Sequence, residues 1–120
     1  MSYETETPPD PKRKMTEPEL VREQLPDWRM LVDRLHGSFD TGDFVTAVRL
    51  VDAIALAAEE MNHHPDLDLS YGRLDVKLSS HDVGGVTSRD VALARTISEL
   101  ARRAGATPHP ERTGALQPQP

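Results

Sequence analysis

The chain has 120 residues, a formal net charge of −6 and no cysteine. That length suits one ordinary domain rather than two, and the lack of cysteine excludes disulfides and thiol chemistry. Between residues 15 and 104, ten Lys and Arg stand against sixteen Asp and Glu, a balance that argues against nucleic-acid backbone as a partner.

No apolar run approaches membrane-spanning length and no signal-like apolar stretch opens the chain, so no membrane partner is expected. A cysteine-free chain also fits a reducing compartment, and a cytoplasmic location is the expectation. Residues 1–14 carry Pro8, Pro9, Pro11 and the Lys12-Arg13-Lys14 run. Residues 105–120 carry Pro108, Pro110, Pro118 and Pro120. Both ends are poor in large apolar groups and read as disordered tails, with the basic run a solvated part of the first. The folded domain is then 15–104. A domain that small buries a modest core, so a homodimer or homotetramer is expected.

In chain order, Thr16-Glu17-Pro18-Glu19 is a helix start, with Thr16 as cap, Glu19 closing the capping box and Pro18 in the first turn. That helix should stop before Pro26. Trp28–Val32 reads as a strand, Asp33-Arg34 as a tight turn, and Leu35–Phe39 as a second strand, together a hairpin. Asp43 caps the clearest helix, where apolar residues at 44, 47, 48, 51, 54, 55, 58 and 61 follow helical spacing. Pro65 disfavours helix at His64, so this helix should end near Asn62 or His63.

Leu69–Ser80 alternates as a half-buried strand, with Tyr71-Gly72 as a bend that splits it in two. Gly84-Gly85 turns the chain, and Thr87 caps a last helix with Asp90 at its third position. Val91, Leu93, Ala94, Ile97, Leu100 and Ala101 form its buried face, and Gly105 stops it. The order is α-β-β-α-β-β-α. Helices packed on one face of an antiparallel sheet make the fold class α+β.

Three of the five histidines, His63, His64 and His81, lie within a segment of about thirty residues that holds most of the groups able to move protons near neutral pH. His63 and His64 are adjacent, so their rings cannot both face one cleft. The partial negative charge of the preceding helix end favours an imidazolium at His63 and suits it as a proton donor. His81 lies at the far end of a strand that starts near that helix end, so the fold can bring it opposite His63. Clustered histidines can also hold zinc, but adjacent ligands are awkward and no cysteine supports them. Asp90 can form a capping-box-like pair with Thr87 at the helix start. Glu59 reads as a solvated or helix-supporting charge, and Gly84-Gly85 as a tight turn rather than an anion cradle. Tyr71 can line a pocket or fill the core, with the core preferred. Trp28, Phe39 and Phe44 are expected in the core, His36 on an exposed strand face and His109 in the tail.

The run Glu59-x-x-x-His63-His64-Pro65, five residues, Tyr71, nine residues, His81, eight residues, Asp90 resembles the signature of pterin-4a-carbinolamine dehydratases. The likeness extends to Trp28, to Asp43-Phe44-x-x-Ala47 and to Gly84-Gly85-Val86-Thr87, and covers roughly residues 16–104. It implies the same α-β-β-α-β-β-α fold. It implies dehydration of 4a-hydroxytetrahydropterins, by-products of pterin-dependent aromatic amino acid hydroxylases, to quinonoid dihydropterins, with no metal and no bound cofactor. By that resemblance His63 and His81 transfer protons, His64 binds and orients the pterin, Asp90 orients a histidine or the substrate alongside its capping role, and Pro65, Asp90 and Tyr71 line the substrate site. The resemblance also implies a rival role, since members of this fold serve as a dimerisation cofactor of a transcription factor or as assembly factors. Two departures stand out. Leu67 occupies a position where the family usually has Trp, and Gly72 one where a polar residue, often Asn, is common.

Overall fold

The computed structural model describes residues 9–113. Its elements are α1 (Glu17–Arg22), β1 (Trp28–Leu31), β2 (Arg34–Asp40), α2 (Phe44–Met61), β3 (Asp66–Ser70), β4 (Arg73–Leu78), α3 (Ser88–Arg103), β5 (Thr107–Pro108) and a 3-10 turn (Pro110–Thr113). The expected α-β-β-α-β-β-α order is present, with β5 and the 3-10 turn added after it. The sheet is antiparallel, in the order β1-β2-β4-β3, with β5 pairing β2 beyond the end of β1.

Local chemistry accounts for most of the boundaries. Thr16 caps α1 through a complete capping box with Glu19. The Asp43 carboxylate accepts from the Thr46 N–H at 2.7 Å and starts α2. At the other end Asn62 adopts φ 52°, a left-handed conformation that Asn tolerates better than most residues. The His63 N–H then reaches back to the Ala58 carbonyl at 3.0 Å, and the Asn62 N–H to that of Glu59 at 3.2 Å. This paired closure reverses the chain, and Pro65 favours an extended backbone at His64.

One face of the sheet is apolar and lies under α2 and α3. Leu35 and Phe39 of β2 alternate with His36, Ser38 and Asp40, while Leu74, Val76 and Leu78 of β4 alternate with Arg73, Asp75 and Lys77. The first set joins Leu50, Ile54, Leu93 and Ile97 in the core. Trp28 lies over Gly37, packs edge-on against Phe39 with ring centroids 5.9 Å apart, and donates its indole N–H to Ser98 Oγ at 3.0 Å. No helix among the described residues is long and apolar enough to cross a membrane.

Several expectations are corrected. The β1–β2 turn is Val32-Asp33, one residue earlier than Asp33-Arg34, because Leu31 pairs with Arg34. That register keeps Trp28 and Leu35 buried on one face, and a one-residue slip of β1 against β2 would turn Trp28 outward. β3 starts at Asp66, three residues before the expected Leu69, and only Leu67 of its five residues is even half-buried. An edge strand needs little apolar alternation, which is why its start is faint in the sequence. Phe44 and Tyr71, expected in the core, are 46 % and 77 % exposed.

The tail expectations fail for residues 9–14 and 105–113. β5 pairs Phe39 with Pro108 and Asp40 with Thr107, and Ala106 is buried. Arg112 donates to Asp40 Oδ1 at 2.8 Å and to Ser38 Oγ at 3.0 Å. At the other end Met15 N–H donates to the Val86 carbonyl at 2.7 Å, and the stem of Lys14 packs over Gly85. Lys12 Nζ stands 3.3 Å from Asp82, and Arg13 pairs with Glu19. Backbone pairing and ion pairs with distant residues hold these segments, and composition does not report either. The remainder of both expected tails, residues 1–8 and 114–120, lies outside the described residues.

Candidate active site

Two helix ends and one strand end meet at a single buried carboxylate. Asp90, in the first turn of α3, is 0 % exposed. Its Oδ1 lies 2.6 Å from His63 Nε2, just past the end of α2. Its Oδ2 accepts from Ser80 Oγ at 2.7 Å, just past the end of β4, and from the Thr87 N–H at 2.9 Å. Ser80 and Thr87 hydroxyls lie 2.8 Å apart. All four residues are buried. A carboxylate removed from water needs such partners, and here each oxygen has at least one donor.

This arrangement joins both readings of Asp90. It completes the capping box with Thr87 at the start of α3, and it fixes the His63 ring. An ionised carboxylate only accepts hydrogen bonds, so the proton shared with His63 sits on Nε2. The other ring nitrogen, Nδ1, then carries the lone pair. A histidine held in one tautomer by a buried carboxylate presents its other ring nitrogen in a fixed direction.

His64 points the other way, as adjacency requires. Its side chain is 55 % exposed and its Nε2 lies 2.6 Å from Glu59 Oε2, one helical turn back on α2. Glu59, expected as a solvated or helix-supporting charge, is exposed and pairs with His64 just past the helix end. His81 is exposed and is the first residue of the turn that links Ser80 to Gly85. Its neighbour Asp82 accepts from Arg89 at 2.9 Å and from Lys12 at 3.3 Å. The Arg89 hydrogen bond, helped by Lys12, holds the Asp82 carboxyl below the usual carboxylate range. The His81 turn is therefore tied to α3 and to the N-terminal segment.

The structure brings His63, Asp90 and the base of the His81 turn together, with His64-Pro65 alongside His63 in the chain. It does not bring Tyr71 there. Tyr71 sits in the β3–β4 turn, six residues of mostly extended chain beyond Pro65, or about 20 Å. His36 and His109 are also elsewhere. His36 is half-buried on the outer sheet face opposite Lys77, and burial, then Lys77 and Arg34, lowers its pKa. His109, expected in the tail, pairs with Asp40 at 2.8 Å and with Glu111 at 2.9 Å. Leu67 pairs with Val76 across β3–β4 and packs half-buried against the core. Among the described residues no three His, Asp or Glu side chains are placed to hold a metal ion. Ser80 carries no motif that marks it in the sequence. Its only signal was position, as the small polar residue directly before His81.

Comparison with known proteins identifies the family. Residues 12–100 match the sequence model of the family described as Pterin 4 alpha carbinolamine dehydratase. A relative from Aquifex aeolicus, provisionally named a pterin-4-alpha-carbinolamine dehydratase, is 41 % identical over 92 residues, covering 75 % of this chain and 93 % of its own. One from Nocardia farcinica with the same provisional name is 44 % identical over 80 residues, covering 67 % and 84 %. The crystal structure of a transcriptional coactivator/pterin dehydratase from Brucella melitensis superposes with a TM-score of 0.71 at 33 % identity, covering 74 % of this chain and 99 % of that one. A pterin dehydratase-like RuBisCO assembly factor of the alpha-carboxysome shares the fold alone, with a TM-score of 0.54 at 23 % identity over 62 % of this chain and 88 % of that one. With the match spanning both helix ends and the strand end that meet at Asp90, this chain belongs to the pterin-4-alpha-carbinolamine dehydratase family.

Proposed function

We propose that this protein dehydrates a 4a-hydroxytetrahydropterin to the quinonoid dihydropterin, with His63 and His81 transferring the protons. The observation that carries the reading is the 2.6 Å contact between His63 Nε2 and the buried Asp90 carboxylate, beside an exposed histidine on a tethered turn. In the reaction the C4a–O bond breaks and the oxygen leaves as water after gaining a proton. A ring nitrogen loses a proton, and its electron pair forms the new double bond to C4a. Atoms and electrons balance with no oxidant.

The reaction needs one acid and one base near neutral pH, the range in which imidazoles work. His63, with Nε2–H committed to Asp90, serves as the base through Nδ1. We assign His63 this role in place of the donor role expected from the helix end, since its Nε2 faces Asp90 and leaves Nδ1 as the free position. His81, exposed to the substrate side, supplies the proton to the departing hydroxyl. His64, oriented by Glu59, binds the pterin with Pro65. Asp90 holds His63 and does not itself meet the pterin. A cytoplasmic homodimer or homotetramer that serves a pterin-dependent aromatic amino acid hydroxylase belongs to the same proposal.

The test is a spectroscopic dehydration assay in which a pterin-dependent hydroxylase generates the carbinolamine in situ. Wild-type protein should speed quinonoid dihydropterin formation. His63→Ala and His81→Ala should each lower kcat by about a hundredfold or more, the usual weight of one general acid or base. Turnover that survives both substitutions refutes the roles. A folded wild-type protein that leaves the rate at its uncatalysed value refutes the function and favours a binding role as dimerisation cofactor or assembly factor.

A further inference from the structure

Ser80 is 1 % exposed and cannot meet a substrate, yet it ties three parts of the site together. Its backbone brackets the His81 turn. The Ser80 N–H donates to the Gly85 carbonyl at 2.8 Å, and the Ser80 carbonyl accepts from Val83 at 3.1 Å and Gly84 at 2.9 Å. Its hydroxyl donates to Asp90 Oδ2 at 2.7 Å, opposite the oxygen that binds His63. Thr87 Oγ1, at 2.8 Å, accepts hydrogen bonds from the Arg89 backbone and side chain at 3.2 and 3.3 Å. Resting on the dehydratase reading, we propose that the Ser80 hydroxyl is the positioning group that reserves Asp90 Oδ1 for His63 and locks the His81 turn to the same carboxylate.

The supply of donors sets which way the carboxylate turns. Asp90 Oδ2 has two donors, and only the Thr87 N–H is fixed by the helix start. Without the Ser80 hydroxyl the carboxylate can rotate toward a better shared geometry, and Oδ1 leaves its line to His63 Nε2. The same loss frees the side chain at the base of the His81 turn from α3. One hydroxyl therefore couples the two proton-transfer residues, although their segments are far apart in sequence. In this network the loss of Ser80 acts in part through the Asp90–His63 line and should matter less once that line is already broken.

Two readouts on the full-length chain test this, one independent of activity. In wild type, the His63 Nε2–H should appear as a downfield, slowly exchanging imidazole proton in NMR spectra, because it is buried and held at 2.6 Å. Ser80→Ala should weaken its protection from exchange at least tenfold, while the exposed His64 ring signals stay in place. Ser80→Cys, of similar size but a weak donor, should behave alike, and it serves as the probe if the alanine variant does not fold. In the dehydration assay Ser80→Ala should lower kcat about tenfold or more with KM within about twofold. In an Asp90→Asn background, where the amide oxygen still accepts from Ser80 but the His63 tautomer is already inverted, the same substitution acts only through the His81 turn and should lower kcat by at least about threefold less than it does beside Asp90. Unchanged His63 protection in a folded variant overturns the proposal whether or not the protein is a dehydratase. Equal losses of kcat in both backgrounds overturn it as well. A wild-type protein with no dehydratase activity would sink the functional reading, while the NMR result still decides the role of Ser80.

Discussion

Replacing Asp90 tests the buried network most directly. Asp90→Ala removes the acceptor for three donors, the His63 Nε2–H, the Ser80 hydroxyl and the Thr87 N–H. Ser80 retains Thr87 Oγ1 at 2.8 Å, so two donors are left buried and unsatisfied. Each costs about 1–3 kcal/mol, so the expected loss is roughly 2–6 kcal/mol, a large share of the ~5–15 kcal/mol that holds a domain together. Asp90→Asn separates stability from chemistry. Thr87 N–H cannot become an acceptor, so the amide oxygen must take the Oδ2 place and the NH2 must face His63. His63 then has to accept at Nε2 and carry its proton on Nδ1, the inverse of the wild-type tautomer. One charge-assisted hydrogen bond is lost, about 1.5–3 kcal/mol, while kcat should fall between about a hundredfold and ten-thousandfold. Urea unfolding of both variants and the dehydration assay on Asp90→Asn provide the measurements. A loss below about 1 kcal/mol in Asp90→Ala, or kcat within about threefold of wild type in Asp90→Asn, would refute this account.

Two further predictions concern the scaffold. Gly37→Ala would put a Cβ 2.8 Å from Trp28 Cζ3, against a ring held by Ser98 and packed on Phe39. Overpacking of this kind costs about 1–3 kcal/mol, and an unchanged thermal midpoint would show that Trp28 moves freely. His36 gives a pH dependence of known sign. Burial, then Lys77 and Arg34, lowers its pKa in the folded protein. As pH falls through the unfolded value near about 6.5, the unfolded chain takes up the proton first. Stability should therefore drop as pH goes from neutral down through the folded value and level off below it. His36→Gln should shrink the stability difference between pH 7.5 and pH 5, measured by urea unfolding. The same difference in both proteins would remove His36 as a cause.

Short-range chemistry is legible in the chain itself. Thr16, Asp43 and Thr87 announce helix starts because a cap and its partner lie within three residues. The end of α2 can be read from Asn62 and Pro65, whose backbone preferences are local. The separation of His63 from His64 follows from adjacency alone. Alternation along β2 and β4 identifies the buried face, since side chains on a strand repeat every two residues. The spacing of His63, His81 and Asp90 points to the family.

The features that stay hidden depend on contacts between distant parts of the chain. β3 begins before its pattern suggests, because an edge strand with one open side needs few apolar residues. β5 and the Arg112–Asp40 pair hold a segment whose proline content reads as a tail, since pairing with β2 outweighs composition. Tyr71 matches the family's pattern in sequence but is carried away from the histidines by the length of β3. Residue types and their spacing are enough to say which groups can move protons and where each helix starts and stops. Packing in three dimensions is needed to deliver His63, Ser80 and Asp90 from α2, β4 and α3 to one buried point. There the carboxylate, shielded from water, selects the histidine's tautomer.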